Sequence, residues 1–171
     1  MADKKTMEDL LTEEIKDLYS AEKQLTKAIP KMVKGSNNEN LRAAFTAHLA
    51  ETQTQVERLE QAAKILGIGP AGKKCVGMEG CIEEGAEALA EKGDEKILDL
   101  GIIGAGSRVE HYEMAAYTTA IGLAQQLGQN DVVTLLKSSL AEEQAADKKL
   151  RDIGAQLLKV APAVEIAKRH A

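Results

Sequence analysis

Glu22, His48, Glu51, Glu110, Glu113 and Glu143 stand where the surrounding pattern calls for apolar side chains. Carboxylate oxygens and imidazole nitrogens are ligands for hard and borderline divalent cations. Burying an ionised carboxylate without a partner costs several kcal/mol, so a chain that turns carboxylates inward from every long helix needs a cationic centre. Residues three apart share a helix face. His48-x-x-Glu51 and Glu110-x-x-Glu113 can therefore each offer two ligands to one site. Taken singly, each residue has a plain explanation. A helical Glu is usually solvated, and a lone inward His is more often a hydrogen-bonded core residue than a ligand. The coincidence across four helices favours a pair of divalent metal ions, iron first, with manganese or zinc as alternatives. A buried salt-bridge network is the competing reading. It requires inward Lys or Arg, and Arg108 is the one cation expected near the seam at this level.

Four long helical patterns carry these residues. The first is expected from about Thr6 to Lys34, opened by the capping box Thr6-x-x-Asp9 and closed at Gly35. Its stripe is Leu11, Ile15, Leu18, Leu25, Ile29 and Met32, with Glu22 among them, and Pro30 is expected to kink or end it. The second opens at Ser36-x-x-Glu39 and closes at Gly67, with His48, Glu51 and Gln55 between Phe45 and Leu59 on its inward face. Residues 68–93 are too long for a hairpin and suit a crossover along a bundle, with a short helix from about Glu79 to Glu91. The third long helix is expected from Asp94 to Leu127, with Gly101, Gly104 and Gly106 allowing close helix approach. The fourth starts at Asn130 or Asp131 and ends near Val160, before Pro162 and a frayed tail over 161–171. Two antiparallel helical hairpins joined by a long crossover with a short extra helix make an all-α, ferritin-like four-helix bundle, a single domain over 1–171.

Spacing adds a weak internal symmetry. Glu22 to Glu51 (51 − 22) and Glu113 to Glu142 (142 − 113) are both 29 residues. Glu142 is in register by that count, but Glu143 occupies the apolar seam and is preferred as the ligand. Tyr19, Tyr112, Tyr117 and Asp147 are expected to flank the site, the tyrosines as donors or one-electron relays, with ordinary packing as the alternative. His111 lies off the seam and His170 in the tail, so both are expected to be solvated.

Composition excludes several classes. The chain has 171 residues, a net charge of −5 and no basic cluster, which gives no footprint for nucleic acid or an anionic membrane. No apolar run approaches the roughly 20 residues of a membrane span, and no apolar leader core opens the chain. The reading is a cytoplasmic protein. Cys75 and Cys81, spaced C-x5-C, fit neither a disulfide framework nor a zinc site and read as free thiols. The run G-I-I-G-A-G at 101–106 lacks the spacing and preceding strand of a nucleotide loop.

The segments D-L-Y-S-A-E-K-Q-L (17–25), H-L-A-E-T-Q-T-Q-V-E-R-L (48–59), V-E-H-Y-E-M-A-A-Y (109–117) and A-E-E-Q-A-A-D-K-K-L (141–150), with C-V-G-M-E-G in the crossover, resemble the YciF-like stress-protein family. The resemblance spans nearly the whole chain. It implies a ferritin-like homodimer, distantly similar to rubrerythrin, with a di-iron carboxylate site and a link to stress responses. Glu110 and Glu113 match the rubrerythrin pair of glutamates three apart. The rubrerythrin histidines have no match, with Thr54 and Ala146 at the corresponding positions, and no C-x-x-C electron-transfer module is present. Two functions follow as expectations: redox chemistry with oxygen or peroxide, or metal-stabilised structure and iron binding without turnover.

Overall fold

A computed structural model describes residues 5–162. They form five helices: α1 (Met7–Gly35), α2 (Glu39–Ile65), α3 (Val76–Ala90), α4 (Glu95–Gln126) and α5 (Asn130–Leu158). No strand occurs among the described residues. The tail beyond residue 162, with His170, lies outside them. The four long helices pack in a ring, α1 against α2 and α4, and α5 against α2 and α4, while α3 lies over α1 and α4.

Two apolar clusters fill the ring from its ends. The early part of α1 (Leu11, Ile15, Leu18) meets the late parts of α2 (Leu59, Ala62) and α4 (Ala120, Ala124) and the start of α5 (Val132, Leu136). The late part of α1 (Leu25, Ile29, Met32) meets the starts of α2 (Leu41, Phe45) and α4 (Ile102, Ile103) and the end of α5 (Leu150, Ile153, Leu157). So α1 and α5 run one way and α2 and α4 the other, and the connection from α2 to α4 crosses the length of the bundle. Each fully buried Leu or Ile contributes about 1.5–3 kcal/mol of transfer free energy. Both clusters stop short of the middle, where the buried polar residues lie.

Helix ends refine the sequence reading. Thr6 caps α1 in a capping box with Asp9. Pro30 does not end α1, which continues to Gly35. Pro30 is exposed, while Ile29 and Met32 beside it are buried and hold the last turn. Ser36 does not cap α2. Its buried hydroxyl donates to the Met32 carbonyl (2.7 Å), and Asn38 caps α2 by accepting from the Leu41 N–H (3.1 Å). The cause is long-range: Asp99 of α4 accepts from the Asn37 and Asn38 N–H groups (2.8 and 2.7 Å) and fixes the turn. Crossover helix α3 begins earlier than expected because the Cys75 sulfur accepts from the Met78 N–H. Gly67 and Gly128 close α2 and α4 with φ of 68° and 69°, a backbone region that favours glycine. Of Gly101, Gly104 and Gly106, only Gly106 serves close approach: an added Cβ there would lie 2.9 Å from a Leu150 methyl. Gly101 faces open space, and Gly104 nears only the Arg108 guanidinium.

Candidate metal centre

Between the two apolar clusters, Glu22 of α1, His48, Thr52 and Gln55 of α2, Glu110 and Glu113 of α4, and Glu143 and Asp147 of α5 are buried. Each helix places them by the 3.6-residue period, as substitutions within an apolar stripe. Ligand atoms of His48, Glu110, Glu113 and Glu143 all lie within 4.8 Å of one another. His48 Nε2 is 3.4 Å from Glu110 Oε1 and 3.6 Å from Glu143 Oε2. On the far side of the ring, His48 Nδ1 is 3.3 Å from Glu51 Oε2. Glu22 joins through Tyr117, whose buried hydroxyl donates to Glu22 Oε1 at 2.5 Å.

Most of these groups have nothing to bond to. Glu22 Oε2, His48 Nε2, Glu110 Oε2 and both carboxylate oxygens of Glu113 and Glu143 are buried without a hydrogen-bond partner among the described residues. Native proteins seldom leave such atoms unpaired, and each exception asks for an explanation. Burial first, then the Glu143 charge, pushes the Glu22 carboxyl well above its usual range. Burial and contact with Glu143 do the same to Glu110, and burial with the charges of Glu22 and Glu143 does so to Glu113. Burial opposes protonation of His48, but the bond to Glu51 and the nearby carboxylates outweigh it and raise its pKa. Burial, then the Glu22 charge, drives the Tyr117 phenol up. Without a cation the centre holds protons in place of charge. This donor set fits a divalent metal, and the buried His/Glu group can hold one.

Several residues lie elsewhere than the sequence places them. Glu51 stands at the rim, its side chain 42% exposed, and its carboxyl is lowered by its hydrogen bond to His48. Arg108 points to solvent beside Glu84. Arg58 holds Glu142 through two bonds (2.6 and 2.8 Å) and makes none to the buried glutamates. Tyr19 donates to Glu60 (3.0 Å), and Tyr112 donates to Asp17 (2.9 Å) beside the Cys75 sulfur. Of the three tyrosines, only Tyr117 bonds a carboxylate of the buried group. Asp147 is buried but held by Arg151 Nε (2.8 Å), with the His111 ring 3.5 Å away. His111, largely exposed, thus reaches back to a buried acid.

Two cavities reach His48 and Glu110. One, of about 200 Å³ between α2 and α5, is edged by Glu51 and Lys149. The other, of about 50 Å³ beneath α3, is walled by Leu25, Ile29, Met32 and Ile82. Phe45 borders both. The first has a mixed lining that includes the Glu51 carboxylate, and the second is an apolar recess large enough for a diatomic molecule.

Gln55 lies on the inward face by its spacing but is not among the expected site residues, because it carries neither a charge nor an imidazole to mark it as a ligand. The missed signal is spacing: Glu22 to Gln55 and Glu110 to Glu143 are both 33 residues apart (55 − 22 and 143 − 110). In the sequence, 29 residues had linked Glu22 to Glu51.

Fold and site together define a helical bundle with a buried histidine–carboxylate group able to hold a metal. The chain belongs to the family described as Domain of unknown function (DUF892), whose profile matches residues 6–161. It is 44% identical over 150 residues to Protein YciF of Escherichia coli (strain K12), covering 87% of this chain and 90% of that protein. The crystal structure of the E. coli stress protein YciF superposes with a TM-score of 0.88 at 42% identity, over 91% of this chain and 99% of that one. YcfI from Rhodopseudomonas palustris gives a TM-score of 0.84 at 45% identity, over 88% and 96%. A protein from Xanthomonas campestris pv. campestris, at 18% identity and a TM-score of 0.72 over 91% and 95%, shares the fold alone. No described helix is long and apolar enough to cross a membrane.

Proposed function

We propose that this is a ferritin-like stress protein that holds two divalent cations, iron by preference, between Glu22, His48, Glu110, Glu113 and Glu143, and uses them on dioxygen or peroxide. The observation that carries the proposal is the concentration of buried ligand atoms without hydrogen-bond partners. Charge supports the number: Glu22, Glu110, Glu113 and Glu143 are four buried carboxylates, and two divalent ions bring four positive charges. The cytoplasm and a homodimer are the expected setting, the latter from the family resemblance.

The chain's own residues prepare the site. A proton on His48 Nδ1 facing Glu51 leaves the Nε2 lone pair directed at the carboxylates, the arrangement that orients a metal-binding imidazole. Burial keeps protons on Glu22, Glu110 and Glu113, which these residues would give up in holding a cation. Tyr117 pins Glu22 Oε1, which leaves Oε2 free as a donor. Both cavities end at the His48–Glu110 edge, so a small oxidant would arrive there. Redox-active ions held by Glu22, His48, Glu110, Glu113 and Glu143 would supply the electrons for such an oxidant.

A second reading, in which the ions only hold the bundle together, draws on the tyrosines. Tyr19 and Tyr112 bond groups outside the centre, so a relay from the surface would rest on Tyr117. Elemental analysis of protein purified without chelator, followed by a peroxide-consumption assay, separates the readings. About two equivalents of iron with peroxide loss support turnover; metal without peroxide loss supports the structural role; metal-free protein that takes up none contradicts both.

A further inference from the structure

The buried face of α2 differs from those of the other three helices around the centre. α1, α4 and α5 present carboxylates, whereas α2 presents the uncharged row Thr52 and Gln55 beyond His48. Gln55 is fully buried. Its Nε2 donates to Glu142 Oε2 at 3.0 Å, and Glu142 is itself clamped by Arg58. An amide nitrogen donates and cannot accept, so its partner carboxylate fixes which way the group is turned. The Gln55 carbonyl oxygen consequently faces away from Glu142, and it is buried without a hydrogen-bond partner among the described residues. Glu142 precedes Glu143, so Gln55 sits at the level of the centre along α5. On the α1 side, Leu18 and Leu59 share one cluster and Tyr19 bonds Glu60, a register that sets Glu22 opposite the Gln55 turn.

We propose that Gln55 Oε1 is a neutral oxygen donor to the cation bound on the Glu22 side of the centre, oriented for that task by the Arg58–Glu142 pair. This rests on the functional reading above. A carbonyl donor contributes a ligand without adding a fifth negative charge, so two divalent ions still balance the four carboxylates. The Arg58–Glu142 pair also shields the amide from turning its nitrogen toward the ions, because turning would face the carbonyl against a carboxylate.

Cobalt(II) titration of the metal-free full-length protein, followed by visible absorption and by thermal melting, tests the assignment. Wild-type protein is expected to bind about two equivalents. Gln55→Leu should weaken the weaker-bound equivalent at least about tenfold and shift its absorption bands. Gln55→Glu, which keeps the shape and an oxygen donor, should retain both equivalents with altered bands. If Gln55→Leu does not fold, the bands of Gln55→Glu decide. Unchanged affinity and bands in the variants overturn the assignment and leave the metal centre standing. Failure of the wild-type protein to bind cobalt overturns both.

Discussion

Two polar clusters in this bundle, one half-buried and one buried, are built in opposite ways. In the first, Asp17, Tyr112 and Cys75 tie α1, α4 and the start of α3 together. The Tyr112 hydroxyl lies within bonding distance of Asp17 Oδ2 and the Cys75 sulfur, and the sulfur also accepts from the Met78 N–H. Burial, then contact with Cys75 and Asp17, pushes the Tyr112 phenol up, and burial raises the Cys75 thiol although the Tyr112 and Met78 bonds work against it, so both groups keep their protons. In the second cluster, Glu110, Glu113, Glu143 and His48 face one another with most of their atoms unpaired. The first cluster is complete from protein groups alone. The second needs something the protein does not supply. Buried polarity that satisfies itself is a fastener, and buried polarity that does not is a receptacle.

The largest expected difference between the clusters is their response to divalent metal. Saturation at a hundred times the dissociation constant should stabilise the protein by about 2.7 kcal/mol, which corresponds to a melting shift of about 5–10 °C for a chain of this size. Differential scanning calorimetry with and without chelator measures it. An unchanged melting temperature would place the receptacle in the same class as the fastener.

Proton linkage should be the next largest effect. Folding raises the carboxyl pKa values of Glu22, Glu110 and Glu113 above the unfolded value of about 4.3. The folded metal-free protein therefore holds protons that the unfolded chain releases. Their contribution to stability is full below about pH 4 and declines as pH rises through the folded-state values toward neutrality. Metal affinity should rise over the same range, because the ligands must lose those protons. Denaturant melts at pH 5 and pH 7.5, with and without metal, should diverge accordingly. Metal-free protein that is more stable at pH 7.5 would contradict this.

Point variants sharpen the contrast further. Glu113→Gln should abolish tight metal binding yet stabilise the metal-free form near neutral pH by on the order of 1 kcal/mol, since a neutral amide of nearly the same shape replaces a carboxyl that burial forces to hold a proton. Glu51→Gln should lower metal affinity less than Glu113→Gln does, because Glu51 stands at the rim and acts through His48. Tyr112→Phe should cost about 1 kcal/mol of stability from its lost bonds and leave metal stoichiometry unchanged. Glu57→Gln, on the exposed face of α2, should move neither quantity by more than about 0.5 kcal/mol.

The helices and the acidic centre are legible in the chain because Glu contradicts the apolar period it interrupts. Glu22, Glu110, Glu113 and Glu143 each stand in a stripe of Leu, Ile, Val or Ala, and burial follows from the stripe. Glu51 was harder. His48 and Glu51 share a face by the i, i+3 rule, yet a three-residue step turns only part of a helix. The buried row is His48, Thr52, Gln55, which leaves Glu51 beside it at the rim. Gln55 reads as inward-facing, but neither it nor Thr52 reads as a site residue, because neutral polar residues do not stand out against an apolar pattern as charges do. The tyrosine partners and the displaced cap at Asn38 depend on side chains distant in sequence: Asp17, Glu60 and Asp99. No local pattern carries those contacts.

The central claim, that the unsatisfied cluster is a cation site, is tested most directly by calorimetric titration of metal-free wild-type protein and Glu113→Gln with ferrous iron under anaerobic conditions. The account expects about two equivalents bound by wild type, with proton release, and loss of tight binding in Glu113→Gln. Absence of binding by wild type, or full stoichiometry in the variant, would contradict it.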